Sequence, residues 1–350
     1  MDRGNAYHSR GCAYWKRGFL ILAIEVKVDF MEIKNKSVLV SGGAGFIGSH
    51  VVDRLVKENP EKIVVVDNFF LGKKENLANA KKLFPKLKII NQDVADISKV
   101  NKIIEENGVD IVFNLAVIPL PTSLEKPVWV FEENVKMAFT FLELARKDKF
   151  KTLVHFSSSE AYGTALKAPM DEKHPTNPTT TYGSSKLAAD HLTMIYHNMY
   201  GIDASIIRSF NNYGPRQNSG SYAGVIPLTI NRIKNNKPVI IHGDGLQTRD
   251  WIYVTDTADA AVKICKTRST RGKIINIANG KETTIMDLIK LIVKTTGYKG
   301  KIIHTKPRVG DIRRHFADIS LAKKLIDFKS KVNLEEGIGN LLEYYMKRGI

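Results

Sequence analysis

Apolar positions along this chain first fall into short, nearly continuous runs, each followed by a stretch with helical spacing. Ser37–Val40 is a β-branched run, and Phe46–Lys57 repeats its apolar residues at helical intervals. Lys62–Val66 is a second run, closed by Asp67. Lys88–Asn91 and Asp110–Leu115 read as two more strands, with a helical stretch near Ser98–Glu106 between them. Val130–Arg146 is a long amphipathic helix, Thr152–Phe156 another strand, and Thr181–Tyr200 another long helix. Strands that are apolar throughout, alternating with helices, predict an α/β fold whose parallel sheet is covered on both faces.

After Ile207 the rhythm changes. Asn211–Tyr222 is a loop rich in Asn, Gly, Pro and Ser. Short strands follow at Val239–His242, Trp251–Val254, Ile274–Ile277 and Ile302–His304. They lie among helices near Thr257–Lys266, Ile285–Thr296, Ser320–Ile326 and Glu335–Lys347. The expected organisation is a first domain over 31–208 and a smaller α/β lobe over 209–350, with the chain crossing between them. Residues 1–30 stand apart. Asp2–Arg17 is polar and aperiodic, and the apolar run Phe19–Ile24 is cut by Glu25, too short for a signal-peptide core. The expectation is a non-catalytic extension ahead of a translation start at Met31.

Composition narrows the picture little. No segment approaches transmembrane length. Cys12 and Cys265 sit in unlike contexts without metal spacing, which argues against a zinc site or disulfide framework and fits a reducing cytoplasm. The net charge of +17 comes from scattered lysines such as Lys73-Lys74 and Lys323-Lys324, with no basic block. It reads as a solvated surface rather than a nucleic-acid or membrane footprint.

The chemistry begins at Gly42-x-x-Gly45-x-x-Gly48, which follows a strand and opens a helix. The first glycine permits a tight turn, the second lets backbone approach a pyrophosphate, and the third lets helix and strand pack closely. Phe46 and Ile47 open the helix. Asp67 follows Gly48 by nineteen residues, at a strand end. A carboxylate there accepts bonds from ribose hydroxyls and repels a 2′-phosphate, so NAD is favoured over NADP. Asn68 follows it. Asp93-Val94 falls where an acid can reach the adenine amino group, and Leu115-Ala116 leaves room beside the cofactor. Asn134 is read as a cofactor contact or a buried anchor for the neighbouring strand.

The reacting residues come later. Ser157-Ser158-Ser159-Glu160-Ala161-Tyr162-Gly163 ends a buried strand, and Tyr182 and Lys186 share one helix face four residues apart. A nearby ammonium lowers a tyrosine's pKa, and the phenolate can take a sugar hydroxyl's proton while the carbon gives its hydride to the nicotinamide. Ser158 is placed to bind the same hydroxyl. Ser157, Tyr182 and Lys186 also border the cofactor. Once C4 of a sugar is a ketone, its C5 proton is acidic. Glu160 can then remove that proton, and Ser159 or a water it holds can protonate the departing C6 hydroxyl.

These motifs resemble the extended short-chain dehydrogenase/reductase family, the NAD-dependent nucleotide-sugar epimerases and dehydratases, from about Lys36 to Lys347. The resemblance implies a Rossmann doubly wound sheet with a C-terminal sugar-nucleotide lobe. It also implies homodimers through Val130–Arg146 and Thr181–Tyr200. It points to Asn211, in Arg208-Ser209-Phe210-Asn211-Asn212-Tyr213-Gly214-Pro215, as a diphosphate ligand. Val225-Ile226-Pro227 resembles the base-contacting segment. His242 precedes Arg249, a phosphate grip; Arg308 and Asp311 resemble a second clamp on diphosphate and ribose. Ser123 and Arg216 join the implied substrate contacts. The expected ligand is a nucleotide-diphosphate sugar, UDP-linked first, with no nucleic acid or membrane partner and no metal.

Ser-Ser-Glu followed by x-Tyr-Gly resembles the 4,6-dehydratases and the UDP-glucuronate decarboxylases more than simple 4-epimerases, which usually carry a small residue in place of Glu160. The chain departs from the family at Asn114, usually His, and at Val117, usually Ala or Gly. The dehydratase pair is Asp-Glu, whereas this chain has Ser159-Glu160. The leading expectation is a 4,6-dehydratase. The alternatives are a 4-epimerase, which needs Ser158, Tyr182 and Lys186 but not Glu160, and a UDP-glucuronate decarboxylase. A non-catalytic binding protein is the reading from another class, and the intact Tyr182–Lys186 pair argues against it.

Overall fold

The computed structural model describes residues 30–220, 223–308 and 310–347. The extension before Phe30, Cys12, Tyr222 and Val309 lie outside them. The first six strands are β1 (Ser37–Ser41), β2 (Lys62–Asp67), β3 (Leu87–Asn91), β4 (Ile111–Asn114), β5 (Thr152–Ser158) and β6 (Asp203–Ser209). With Ile274–Ile277 they form one parallel sheet in the order Ile274–Ile277, β6, β5, β4, β1, β2, β3. Successive strand residues point to opposite faces. Val38, Val40, Ile63 and Val65 enter one core with helix Phe46–Val56. Leu39, Val64, Val66 and Val112 enter the other with helix Pro127–Arg146. Both faces are dry, which is why these strands carry no polar alternation.

Strand order reverses between β1 and β4, and such sheets bind ligands at that point, beyond the carboxyl ends of the strands. Ser41 fixes the place. Its hydroxyl donates to Asn114 Oδ1 at 2.7 Å and accepts from the Leu115 and Ala116 amides at 3.1 Å each.

Three elements differ from the sequence pattern. Ile274–Ile277 extends the main sheet beside β6 rather than belonging to the smaller lobe. Leu120–Glu125, where the apolar pattern predicts no element, is helical, with Pro119 as N-cap and Pro121 in the first turn, where a missing N–H costs nothing. β5 runs two residues past Phe156, so Ser157 and Ser158 still pair with Arg208 and Ser209.

Helix Thr181–Tyr200 starts sharply because Thr180 Oγ1 accepts from the Gly183 amide at 3.0 Å, and it ends at left-handed Gly201. Gly183 lets its first turn lie directly on the end of β5, since a Cβ there would sit 2.7 Å from the Glu160 carbonyl oxygen. Behind it, Arg208 Nε donates to Asp190 Oδ2 at 2.8 Å, both side chains at most 2% exposed. Breaking such a buried pair by removing one partner typically costs about 3–5 kcal/mol. The smaller lobe has its own core around Tyr213, Ile241, Leu288 and Leu341. No described helix is long and apolar enough to cross a membrane.

Candidate active site

One cleft of about 1740 Å³ runs from the switch point of the sheet into the smaller lobe. That exceeds the roughly 300–1,000 Å³ of a single small-ligand pocket, so it has room for a dinucleotide and a second ligand together.

At the sheet end, Gly42, Gly45, Phe46, Ile47 and Gly48 form one wall. A Cβ on Gly48 would stand 2.2 Å from the Gly42 carbonyl oxygen, so the helix can approach its strand this closely only with glycine there. Asp67 is buried at the tip of β2. Its two oxygens accept from the Ala44 and Phe69 amides at 2.9 and 2.8 Å. Burial raises its pKa and these backbone bonds pull against that. Bonds from the Phe69, Ala44 and Gly45 amides still leave the carboxylate acceptor capacity for a ribose hydroxyl. Asn68 Nδ2 donates to Asp93 Oδ2 at 3.2 Å, while Asp93 Oδ1 accepts from the Ala95 amide. Asn68, Asp93, Val94, Leu115, Ala116 and Ser157 all line the cleft.

Asn134 does not. Its Oδ1 accepts from the Ile118 amide at 2.8 Å, and its Nδ2 donates to the Ile118 carbonyl and to Ser185 Oγ. It ties the loop after β4 to the helix that carries Tyr182, which is the anchoring reading rather than the cofactor contact.

In the middle of the cleft, Ser158, Ser159, Glu160, Tyr182 and Lys186 come together. Ser158 Oγ accepts from the Glu160 amide at 3.2 Å, leaving its own hydrogen to give. The phenol of Tyr182 is pushed up to about 12 by burial, eased by a hydrogen bond with Ser158 and raised again by the charge of Glu160. Lys186 Nζ donates to the Phe156 carbonyl at 2.5 Å. Burial lowers Lys186 to about 8, against the pull of Asp190. Burial thus raises Tyr182, the reverse of the acidified tyrosine expected from spacing alone. Glu160 is raised by burial, opposed by Arg249 and reinforced by Asp311. The Ser159 carbonyl accepts from His315 Nε2 at 3.1 Å, so a fully buried ring of the smaller lobe braces this turn.

At the far end, Arg249 donates to the Thr248 and Ile312 carbonyls at 2.8 and 2.6 Å and to Asp311 Oδ1 at 2.5 Å. Gln247 also donates to Asp311. The two expected clamp residues therefore hold each other. Exposed Arg308 and half-buried His242 share this wall. The His242 ring, with Nδ1 2.9 Å from Thr305 Oγ1, is lowered by burial and then by Arg308. Asn211 and Val225 line the cleft; the buried side-chain oxygen of Asn211 has no partner among the described residues. Arg216 lines it too, though its guanidinium pairs with Asp53 at 2.7 Å. Two expected contacts are not walls. Ser123 gives its hydroxyl to the Leu120 carbonyl at 2.7 Å, one helical turn back. Ile226 is 1% exposed in the core of the smaller lobe, because helical spacing turns it away from its neighbour Val225.

Motif spacing missed Ser41, although it directly precedes the glycine fingerprint. It also missed Asn114 and His155, bonded at 3.2 Å behind the cleft, and His315. No local pattern marks these residues, since their partners are far away in the chain.

This fold and this site define an enzyme that binds a dinucleotide at a sheet switch point beside a Ser–Tyr–Lys set, the short-chain dehydrogenase/reductase architecture. More narrowly, the model of the NAD dependent epimerase/dehydratase family matches residues 38–278, and the chain belongs to that family, with NAD as its cofactor. A Methanocaldococcus jannaschii protein provisionally named a UDP-glucose 4-epimerase is 37% identical over 88% of this chain and 97% of its own. The UDP-glucose 4-epimerase of Thermotoga maritima, solved with UDP-glucose, is 32% identical with a TM-score of 0.84, over 90% of this chain and 100% of its own. The dTDP-glucose 4,6-dehydratase of Bacillus anthracis, solved with NAD, is 27% identical with a TM-score of 0.80, over 89% and 97%.

Proposed function

We propose that this protein is an NAD-dependent 4-epimerase of nucleotide-diphosphate sugars, UDP-sugars first. The observation that carries this is the content of the middle of the cleft. Ser158, Tyr182 and Lys186 make a complete set for proton transfer at a sugar hydroxyl, whereas dehydration has only Glu160, with Ser159 where an acid is required. A serine hydroxyl is too weak an acid to protonate a departing hydroxide efficiently. The likeness to proteins named as UDP-glucose 4-epimerases supports the same choice. The 4,6-dehydratase expected first from Ser-Ser-Glu accordingly becomes the second reading, favoured only by Glu160 beside Tyr182.

The residues fit the cofactor: Gly42–Gly48 offer backbone to a pyrophosphate and Asp67 offers acceptors to a ribose. NAD held there would supply a hydride acceptor and donor for C4 of the sugar, and its positive charge would favour the phenolate of Tyr182. As the phenolate that bound NAD and Lys186 would favour, Tyr182 takes the proton of the C4 hydroxyl and later returns it, while Ser158 holds the same oxygen. Lys186, charged below about 8, stabilises the phenolate while it exists. Arg249, Arg308 and Asn211 bind the diphosphate, Arg through its two-pronged geometry. The sugar, held by its nucleotide, would have to turn its other face to the cofactor site between the two proton transfers.

We also propose a homodimer. Helices Pro127–Arg146 and Thr181–Tyr200 pack on each other and expose the large apolar side chains Val128, Phe131, Phe139, Ile195, Met199 and Tyr200, which a partner subunit would cover. Sedimentation should give twice the chain mass, and Phe139→Glu with Ile195→Glu should halve it.

The deciding experiment is incubation with NAD and a panel of UDP-, dTDP- and GDP-sugars in D2O. A C4 isomer of unchanged mass without deuterium is expected. Loss of water with deuterium at C5 would overturn the proposal in favour of the dehydratase.

A further inference from the structure

Asp190 lies one helical turn beyond Lys186, as Lys186 lies one turn beyond Tyr182, so the three side chains share a face. Asp190 is wholly buried, and Arg208 fixes it at 2.8 Å. Arg208 is in turn held by the ring of Tyr162, 4.5 Å from the guanidinium carbon, and Tyr162 donates to Asn276 Oδ1 at 2.9 Å. We propose that Asp190, locked by Arg208, is the counter-charge that keeps buried Lys186 an ammonium, and that through Lys186 it sets the upper pH limit of the active site. Asp190 is a positioning residue in this scheme and touches no ligand.

The surroundings of Lys186 leave few other sources of negative charge. Lys186 is 6% exposed, and a carbonyl dipole from Phe156 is a weak substitute for water around an ammonium. On its own helix, Tyr182 is a neutral phenol at neutral pH. From β5 comes His155, fully buried and held neutral by burial and by the charge of Lys186 itself. Glu160, in the turn after β5, is raised by its own burial and faces Arg249 and Asp311. From β6 comes Arg208, a cation. Asp190 is the group whose charge pulls Lys186 back up against burial. Burial raises the Asp190 carboxyl, and Arg208 lying against it is the strongest pull back toward the carboxylate, followed by Ser157 and by Lys186 itself.

The test is a pH titration of the full-length protein labelled with [ε-13C]lysine and followed by NMR, with the Lys186 signal assigned by its loss in Lys186→Met. It needs no substrate, so it stands whether or not the epimerase reading does. Lys186 should titrate near 8, apart from surface lysines near 10.4. In Asp190→Asn its midpoint should fall by about one to two units, and Asp190→Glu should restore it. An unchanged midpoint in folded Asp190→Asn would overturn the proposal. If that variant does not fold, Asp190→Asn with Arg208→Met removes the stranded cation; a lowered midpoint is again expected, and an unchanged one again overturns it. The alkaline limb of turnover should move down with the midpoint, so that activity falls more at pH 8.5 than at pH 6.5. A limb that stays while the midpoint moves would sever Lys186 from the pH limit.

Discussion

At the sheet end of the cleft, the walls are strand tips, glycine backbone and a carboxylate tied to backbone amides. At the lobe end they are long side chains on loops: exposed Arg308, and Arg249 locked to Asp311. The first is shaped by main chain that cannot move without opening the sheet. The second is shaped by ion pairs that a ligand can rearrange. A dinucleotide common to a whole family suits the rigid end, and sugar nucleotides that differ between members suit the adaptable one. The proposed proton-transfer set lies between them, on β5 and the helix Thr181–Tyr200, where both ends must be in register.

The largest effect should come from that middle ground. Tyr182→Phe should cut kcat by about 10²–10⁴-fold with little change in KM or in NAD affinity, as read by steady-state kinetics and calorimetry. At the rigid end, Gly48→Ala must displace the Gly42 carbonyl, a cost of about 1–3 kcal/mol. NAD should bind roughly 10–100-fold more weakly, with sugar-nucleotide affinity unaffected. Equal loss of both would show that the two ends are not separable. At the adaptable end, Arg249→Lys keeps the charge but loses the fork. KM for the sugar nucleotide should rise about tenfold with kcat nearly unchanged. If kcat falls instead, Arg249 acts on the reacting centre through Glu160.

Turnover should also decline as pH rises through about 8. The Lys186 midpoint lies below its ordinary value because burial penalises the charged form. The ammonium is therefore present below about 8 and lost above it. The smallest effect is expected from Glu160→Gln, which should cost less than the ~10²-fold at which acid–base roles begin. Near-total loss of activity would return Glu160 to the role of base and the protein to the dehydratases.

By itself the sequence determined everything that rests on local pattern. Continuous apolar runs such as Lys62–Asp67 announce a sheet buried on both faces, because a strand with two dry faces cannot alternate. Gly42-x-x-Gly45-x-x-Gly48 and Asp67 announce the dinucleotide end, because backbone approach is possible only for glycine and a ribose requires an acceptor at a fixed distance along the fold. Tyr182 and Lys186 share a face by helical period alone. Tertiary structure decided what depends on distant partners. It set the direction of the Tyr182 shift, because burial is a property of the packed chain. It turned Asn134, Ser123 and Ile226 away from the cleft, because each found a bond or a core nearer by. It joined Ile274–Ile277 to the main sheet, and it placed Asp190 and Arg208, eighteen residues apart in sequence, in contact one helical turn beyond Lys186. Spacing specifies which side chains share an element; only packing specifies how much water and which charges surround them.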